Sequence, residues 1–359
     1  MTAAEVVADP IGQLNLMLWM TQPLPGECPV RPVLKEAGYR LMAIGPAMPL
    51  LPDLRERLQV KGLACRVEPE PDLLLTRDDG QEYLMLECKR TMFGADSSTA
   101  EQARGLVLQT GEQFNTVVGL PVAAATTAGL VYVSEHCDSP NPADGLNQIR
   151  EELEGAGFPV APAGVTCLQA RDDGIYLIDE YQPGTIPEPL YGIVRAGIKV
   201  QEIVEGEEAM PLLLIPWDPN VSQTSPVAQF GKQVFCHRLL GSLVVRIGKL
   251  VPGQEFEVEY DDLLDEATFN FYQRWRTRNT EIGRTLRGFC RTIIQEALKD
   301  VPDLQAEPLA QGRVGRRITV GSESAKEATI DAITKYARKA CPEIASPAQQ
   351  ALPLDAEEM

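Results

Sequence analysis

Two short apolar runs separated by a polar turn stand out near the start of the chain. The first is Pro71-Asp72-Leu73-Leu74-Leu75-Thr76, and the second extends from Glu82 to Arg90. Between them lies Arg77-Asp78-Asp79-Gly80, and Asp-Gly in this position favours a hairpin because glycine tolerates the positive φ of a primed turn. The pattern therefore predicts two buried strands, 72–76 and 82–89, joined by a tight turn.

The flanking segments predict further helices and strands. The stretch 50–58 suits a helix with Asp53 near its amino end, and 62–67 suits a strand that precedes the hairpin. A capped helix start at Ser97 predicts a helix that runs through Phe114, and 128–134 reads as the next strand. The chain is thus expected to mix helices with a sheet.

Three charged side chains lie at the ends of the predicted hairpin strands. Side chains alternate between faces, so Glu87 and Lys89 should emerge on one face roughly 6–7 Å apart, while Cys88 points the other way. Pairing of the two strands would bring Asp72 beside them. Buried charges are costly unless they are paired or hold a metal. This cluster is therefore a candidate functional site.

These residues resemble the signature of the PD-(D/E)XK nuclease superfamily, which is Pro-Asp, a short spacer and Glu-x-Lys. The elements predicted between residues 50 and 134 also follow that family's order of helix, strand, strand, strand, helix and strand. The resemblance implies an α/β fold with a restriction-endonuclease-like mixed sheet flanked by helices. It also implies that Asp72 and Glu87 bind Mg²⁺ or Mn²⁺ and that Lys89 positions the attacking water.

Many members of the family add an acid from the first helix, and some add a glutamine from the second. The resemblance implies Glu56 for the acid, with Glu36 as the second choice, and Gln102 or Gln109 for the glutamine. Carboxylate oxygens are the hard ligands that Mg²⁺ prefers, and the metal activates water and offsets phosphate charge. The predicted catalytic residues are Asp72, Glu87, Lys89, Glu56 and Gln102. The alternative is a solvated Glu-Lys ion pair of little energetic value.

The length of 359 residues is enough for two hydrophobic cores. We predict a nuclease-like domain over residues 1–154, followed by a glycine- and proline-rich linker from 155 to 164. A second α/β domain is predicted over 165–342. The acidic segment 343–359 is predicted to be a disordered tail.

The net charge of −18 argues against a broad, nonspecific DNA-binding surface. The second domain nevertheless contains a stretch in which arginine alternates with aromatic residues. Such residues suit phosphate contact and base stacking, so the predicted nucleic-acid contacts are Arg274, Trp275, Arg276, Arg278, Arg284, Arg316 and Arg317. The alternative is a long helix whose arginines reach into water or pair with acids.

The cysteines, the histidines and the motifs that are missing from the sequence limit the kinds of site that we expect. The eight cysteines include no Cys-x-x-Cys pair, and His136 and His237 are the only histidines, which argues against a zinc site and against histidine catalysis. No Walker loop or dinucleotide-binding glycine motif is present. The apolar run 14–20 is too short to span a bilayer, so we expect a cytoplasmic protein without a membrane partner.

The sequence therefore predicts a Mg²⁺- or Mn²⁺-dependent nuclease that acts on DNA, in prokaryotic defence or repair by analogy with the family. Nucleic acid is the expected partner, and a protein partner or a homodimer is left open. The main alternative is a catalytically inactive nuclease-fold scaffold or regulatory subunit of a larger complex. A third class is a binding module in which Glu87 and Lys89 form a structural ion pair.

Overall fold

The computed structural model describes residues 2–24, 29–77, 80–90, 94, 97–135, 143–178, 197–204, 213–221, 224–278, 280–299, 301, 303–310 and 313–340. The side chains of residues 98 and 276–278 lie outside this description. The chain divides into two compact units, Met1–Pro211 and Leu212–Met359. Each unit has its own sheet.

The first unit is built around a seven-stranded sheet whose strands lie in the order of the sequence. Strands β1 to β3 are antiparallel, β3 to β5 are parallel, and β5 to β7 are antiparallel again. The elements of this unit are α1 (Ala3–Ala8), α2 (Pro10–Thr21), α3 (Val33–Glu36), β1 (Tyr39–Ile44), α4 (Pro52–Val60), β2 (Leu73–Arg77), β3 (Glu82–Lys89), α5 (Ser98–Val107), α6 (Gly111–Val118), β4 (Thr127–Glu135), α7 (Asp144–Gly155), β5 (Ala163–Arg171), β6 (Gly174–Ile178) and β7 (Ile198–Glu202).

The predicted hairpin is confirmed. Strands β2 and β3 pair antiparallel, from Leu73 opposite Leu86 to Thr76 opposite Tyr83. Gly80 has φ +66°, the left-handed conformation that glycine supplies in such a turn. Strand β4 then runs parallel to β3, and helices α5 and α6 form the crossover that a parallel connection requires.

The prediction of a strand at 62–67 was wrong, since this described segment contains no strand. Its backbone is satisfied elsewhere: the amide of Arg66 donates to the carbonyl of Glu101, and the carbonyl of Val67 accepts from Leu50. The first strand is instead β1, which pairs with β2. Helix α4 therefore lies between β1 and β2 in the chain, after the first strand.

The boundary between the two units also differs from the expected one near residue 154. Strand β5 pairs in parallel with β4, and β6 and β7 extend the same sheet. Strands β5, β6 and β7 therefore belong to the first unit, and the division falls after residue 211.

The second unit combines a three-stranded antiparallel sheet, in the order β8-β10-β9, with helices. Two of these helices are separated by a short turn in which Phe269 and Asn270 have positive φ angles. Its elements are α8 (Pro226–Gly248), β8 (Glu255–Glu259), α9 (Tyr260–Ala267), α10 (Phe271–Arg278), α11 (Thr280–Ala297), β9 (Leu304–Pro308), β10 (Gly315–Val320) and α12 (Glu323–Ala340). Within the described parts of both units, every helix is too short or too polar to cross a bilayer.

Candidate active site

The hairpin places the carboxylates of Asp72 and Glu87 side by side. Asp72 directly precedes β2, one position beyond the Leu73–Leu86 pair, and so faces Glu87 on β3. The amide of Asp72 donates to Oε2 of Glu87 at 3.2 Å, and the amide of Cys88 donates to Oδ2 of Asp72 at 2.6 Å. The strand backbone thus fixes both carboxylates.

Two further side chains bind the other oxygen of Glu87. Lys89 Nζ lies 2.6 Å from Glu87 Oε1, and Gln102 Nε2 donates to the same oxygen at 2.7 Å. Gln102, on α5, also donates to the carbonyl of Glu70 at 3.1 Å and accepts from Arg66 Nη1 at 3.3 Å. A single network therefore joins the hairpin to the helix that covers it.

Burial and the charges of neighbouring groups shift the pKa values of Asp72, Glu87 and Lys89. Glu87 is only 2 % exposed, and burial, followed by the charge of Asp72, raises its pKa to about 8. Burial likewise raises the pKa of Asp72, although Lys89 and the amide of Cys88 oppose this. Burial alone would lower the pKa of Lys89, but Glu87 and Asp72 outweigh it, so its pKa is raised. The lysine stays charged.

The donor set fits a hard divalent cation. Asp72 and Glu87 present carboxylate oxygens, and when both are ionised one lysine offsets only one of their two negative charges. No cluster of three or more His, Cys, Asp or Glu side chains suitable for a metal occurs in the described part of the chain. Two carboxylates are nevertheless sufficient for Mg²⁺, which keeps several waters when it binds to proteins.

The other predicted members of the site lie elsewhere. Glu56 is exposed on α4, and no hydrogen bond or ion pair among the described residues connects it to the carboxylates. Glu36 pairs with Arg31 at the surface, with 3.0 Å between Oε2 and Nη2. Gln109 is buried and donates to the carbonyl of Met48. The choice of Glu56 assumed that α4 is the first core helix, whereas α4 follows β1.

The sequence argument missed two residues that border the network. Tyr132 of β4 is fully buried in the position opposite Glu87, and its pKa is raised by burial and by the charges of Glu87 and Asp72. Gln13 of α2 donates to the carbonyl of Lys89 at 3.1 Å. Alternation along the predicted strand 128–134 could have placed Tyr132 with Leu130 on the inner face, but the parallel register is visible only in the structure.

The predicted nucleic-acid contacts in the second unit divide into several groups. Trp275 is only 1 % exposed, so the prediction that it stacks on a base was wrong, because its ring belongs to the core. Arg274 is half-buried, and burial lowers its pKa. The side chains of Arg276 and Arg278 lie outside the described residues.

The remaining three arginines have described surroundings. Arg316 donates to the Tyr260 hydroxyl at 3.2 Å, and Arg317 Nη2 lies 3.1 Å from Glu257 Oε1. Glutamates of β8 therefore neutralise part of this cluster. Arg284 is exposed on α11 and lines a cavity with two other arginines.

A comparison with protein-family models finds no match for the chain, and no significant match was found among curated proteins or solved structures.

Proposed function

We propose that this protein is a metal-dependent phosphodiesterase that cleaves nucleic acid, with DNA as the first substrate to test and Mg²⁺ or Mn²⁺ as the cofactor. The observation that carries the proposal is the meeting of Asp72, Glu87, Lys89 and Gln102 at the end of β3. These are the residue types that hard-metal hydrolysis of phosphate esters requires.

The order of strands around the site supports a restriction-endonuclease-like fold. An antiparallel β1-β2-β3 meander leads into helix α5 and then into β4, which is parallel to β3. With β1 in the place expected of 62–67, and with α4 as an insertion between β1 and β2, this order agrees with the strand-strand-strand-helix-strand order that the resemblance implies. Helix α2, which contacts β1, β3 and β4, supplies the preceding helix.

Each side chain of the network has a role in this proposal. Asp72 and Glu87 hold the cation, which when bound lowers the pKa of a coordinated water and offsets charge that develops on the phosphate. Lys89 donates to the attacking water or to a phosphate oxygen and lies against the carboxylate that it helps to balance. Gln102 fixes the orientation of Glu87 from the adjacent helix.

The first test is Mn²⁺ binding by calorimetry to the full chain and to Asp72→Asn. We expect the variant to lose at least about tenfold in affinity, because one of two charged ligands is replaced by a neutral amide. Asp173→Asn is the matched control. Asp173 belongs to a second Arg-Asp-Asp-Gly turn, and its carboxylate lies 2.6 Å from Lys199 Nζ at the surface. Equal affinities of all three proteins would contradict the proposal.

The second test is cleavage of plasmid and single-stranded DNA by Lys89→Met, with Lys199→Met as control. Loss of the Lys89 ammonium should lower the cleavage rate by about 100-fold or more, while Mn²⁺ binding is retained. The control should cleave like the wild type. If the wild type binds no metal and cleaves neither DNA, the proposal fails and the alternative of a non-catalytic scaffold replaces it.

A further inference from the structure

Three arginines of α11 line a cavity in the second unit, and we propose that this cavity binds phosphate groups. The cavity has a volume of about 420 Å³ and is lined by Thr280, Arg284, Arg287, Gly288, Arg291 and Val314. We call it the arginine cavity. The proposal is independent of the carboxylate site, which belongs to the other unit.

The helical spacing of three arginines concentrates positive charge on one side of this cavity. Arg284, Arg287 and Arg291 are spaced by three and four residues, so their side chains share one face of α11. None of the described residues that line the cavity is acidic. Such a concentration of positive charge is unusual in a chain with a net charge of −18. A fixed anion site is one way to offset it.

The three arginines differ in how they are held. Arg287 Nη1 lies 3.8 Å from Asp261 Oδ2, and its Nε donates to the carbonyl of Gly283 at 3.0 Å. Asp261 is itself held by the Tyr272 hydroxyl at 3.0 Å. Arg284 and Arg291 are exposed, and within the described residues no carboxylate pairs with either guanidinium. One arginine is thus positioned, and two are available to a ligand.

This arrangement contrasts with the arginines of the neighbouring sheet. Arg313 contacts both Glu257 and Glu259, and Arg317 contacts Glu255 and Glu257. Glutamates of β8 therefore already accept from the guanidinium N–H groups of Arg313 and Arg317 that a phosphate would need. In the arginine cavity, the guanidinium groups of Arg284 and Arg291 can still donate to a phosphate.

Gly288 gives a ligand access to the helix between the flanking arginines. A Cβ built on Gly288 would meet no atom within 4 Å, so the space beside the helix is open at this turn. A guanidinium group can donate two parallel hydrogen bonds to two oxygens of one phosphate. The Thr280 hydroxyl offers a further donor at the cavity wall. The volume is in the range of small-ligand sites and holds a phosphate with part of an attached sugar or base.

The phosphate could belong to a nucleic-acid backbone or to a small phosphorylated compound, and binding experiments separate the two. The first measures anisotropy of a fluorescent single-stranded and a duplex oligonucleotide with the full chain in EDTA. Arg284→Ala combined with Arg291→Ala should weaken binding by at least about tenfold and reduce the salt dependence on duplex DNA by about two phosphate contacts. The matched control is Arg338→Ala with Lys339→Ala, which removes the same charge from the exposed end of α12.

The second experiment uses Gly288→Glu, whose Cβ would meet no atom within 4 Å and whose carboxylate adds negative charge beside the arginines. Calorimetry with inorganic pyrophosphate then tests the small-ligand source. Binding of the oligonucleotides that is lost in Gly288→Glu assigns the cavity to a nucleic-acid backbone. Binding of pyrophosphate alone, lost in the same variant, assigns it to a small phosphate compound. No binding by the wild type, or equal losses in the cavity variants and the control, would overturn the proposal.

The outcome is separable from that of the proposed function. Asp72→Asn should leave oligonucleotide and pyrophosphate binding in EDTA unchanged, because the arginine cavity uses no bound metal. Failure of the cavity would therefore leave Mn²⁺ binding at the carboxylates intact, and failure of the carboxylates would leave the cavity intact.

Discussion

Glu87 receives hydrogen bonds from three directions: the backbone of Asp72, the ammonium of Lys89 and the amide of Gln102. Each donor favours the ionised form, yet burial and the neighbouring carboxylate raise its pKa to about 8. In the metal-free protein the desolvation of the carboxylate therefore outweighs the donors. A divalent cation at the pair would reverse that balance by favouring ionisation of both carboxylates.

This balance predicts how the stability of the metal-free protein depends on pH. The folded state binds the Glu87 proton more tightly than the unfolded chain, where the ordinary pKa is 4.5. The stabilisation is full at low pH and is lost as pH rises through about 8. In EDTA, we expect the free energy of unfolding to fall between pH 5 and pH 8.

Urea unfolding at several pH values measures this dependence. Glu87→Gln should flatten the slope because the amide does not titrate, and Asp173→Asn should leave it unchanged. A wild type that gains stability over this interval, or a slope that Glu87→Gln does not alter, would contradict the prediction.

At the scale of elements, two helical glycines have opposite surroundings. Gly231 of α8 packs against the carbonyl oxygen of Pro216, and an added Cβ would overlap that oxygen. Gly288 of α11 faces open space. The helix propensity of alanine exceeds that of glycine at both positions, so any difference between the two substitutions reports the packing.

We expect Gly288→Ala to stabilise the protein by about 0.5–1 kcal/mol, since helix propensity acts there without a clash. Gly231→Ala should destabilise it by about 1–3 kcal/mol, because α8 must move away from the 213–217 segment. Denaturant midpoints of the two variants provide the measurement. Equal shifts of the same sign would show that the close approach at Gly231 is not rigid.

The elements also show what local sequence could predict. The hairpin was predictable because its turn and both strands lie within twenty residues of one another, and it brought Asp72, Glu87 and Lys89 together. Strand β1 was missed because its pairing with β2 spans the α4 insertion. Trp275 was misplaced because an aromatic residue among arginines suits either a stacking surface or a buried helix face, and only tertiary packing decides between them.

At the scale of the whole molecule, the two compact units predict which fragments fold. A fragment of residues 1–211 contains all seven strands of the first sheet and the carboxylate network. It should unfold cooperatively and bind Mn²⁺ with the affinity of the full chain. A fragment of residues 1–154 lacks β5, so the buried strand β4 would have an unpaired edge, and we expect aggregation.

Circular dichroism, denaturant unfolding and calorimetry on both fragments test this division. Folding of 1–154 as a soluble, metal-binding protein would restore the earlier boundary predicted from the glycine- and proline-rich segment. A loss of folding in 1–211 would show that the first unit depends on the second.

The contacts of α1 also set a condition on how the chain folds during synthesis. This helix packs on β4, β5 and β6, although it is the first element in the sequence. Its buried residues Val6 and Val7 therefore have no complete binding surface until residue 178 has emerged from the ribosome. Helix α2, which is mostly apolar and almost entirely buried, cannot complete its packing until β3 and β4 have been made. We therefore expect the apolar faces of α1 and α2 to stay exposed on the nascent chain until these strands have been made, and to be targets for molecular chaperones during that time.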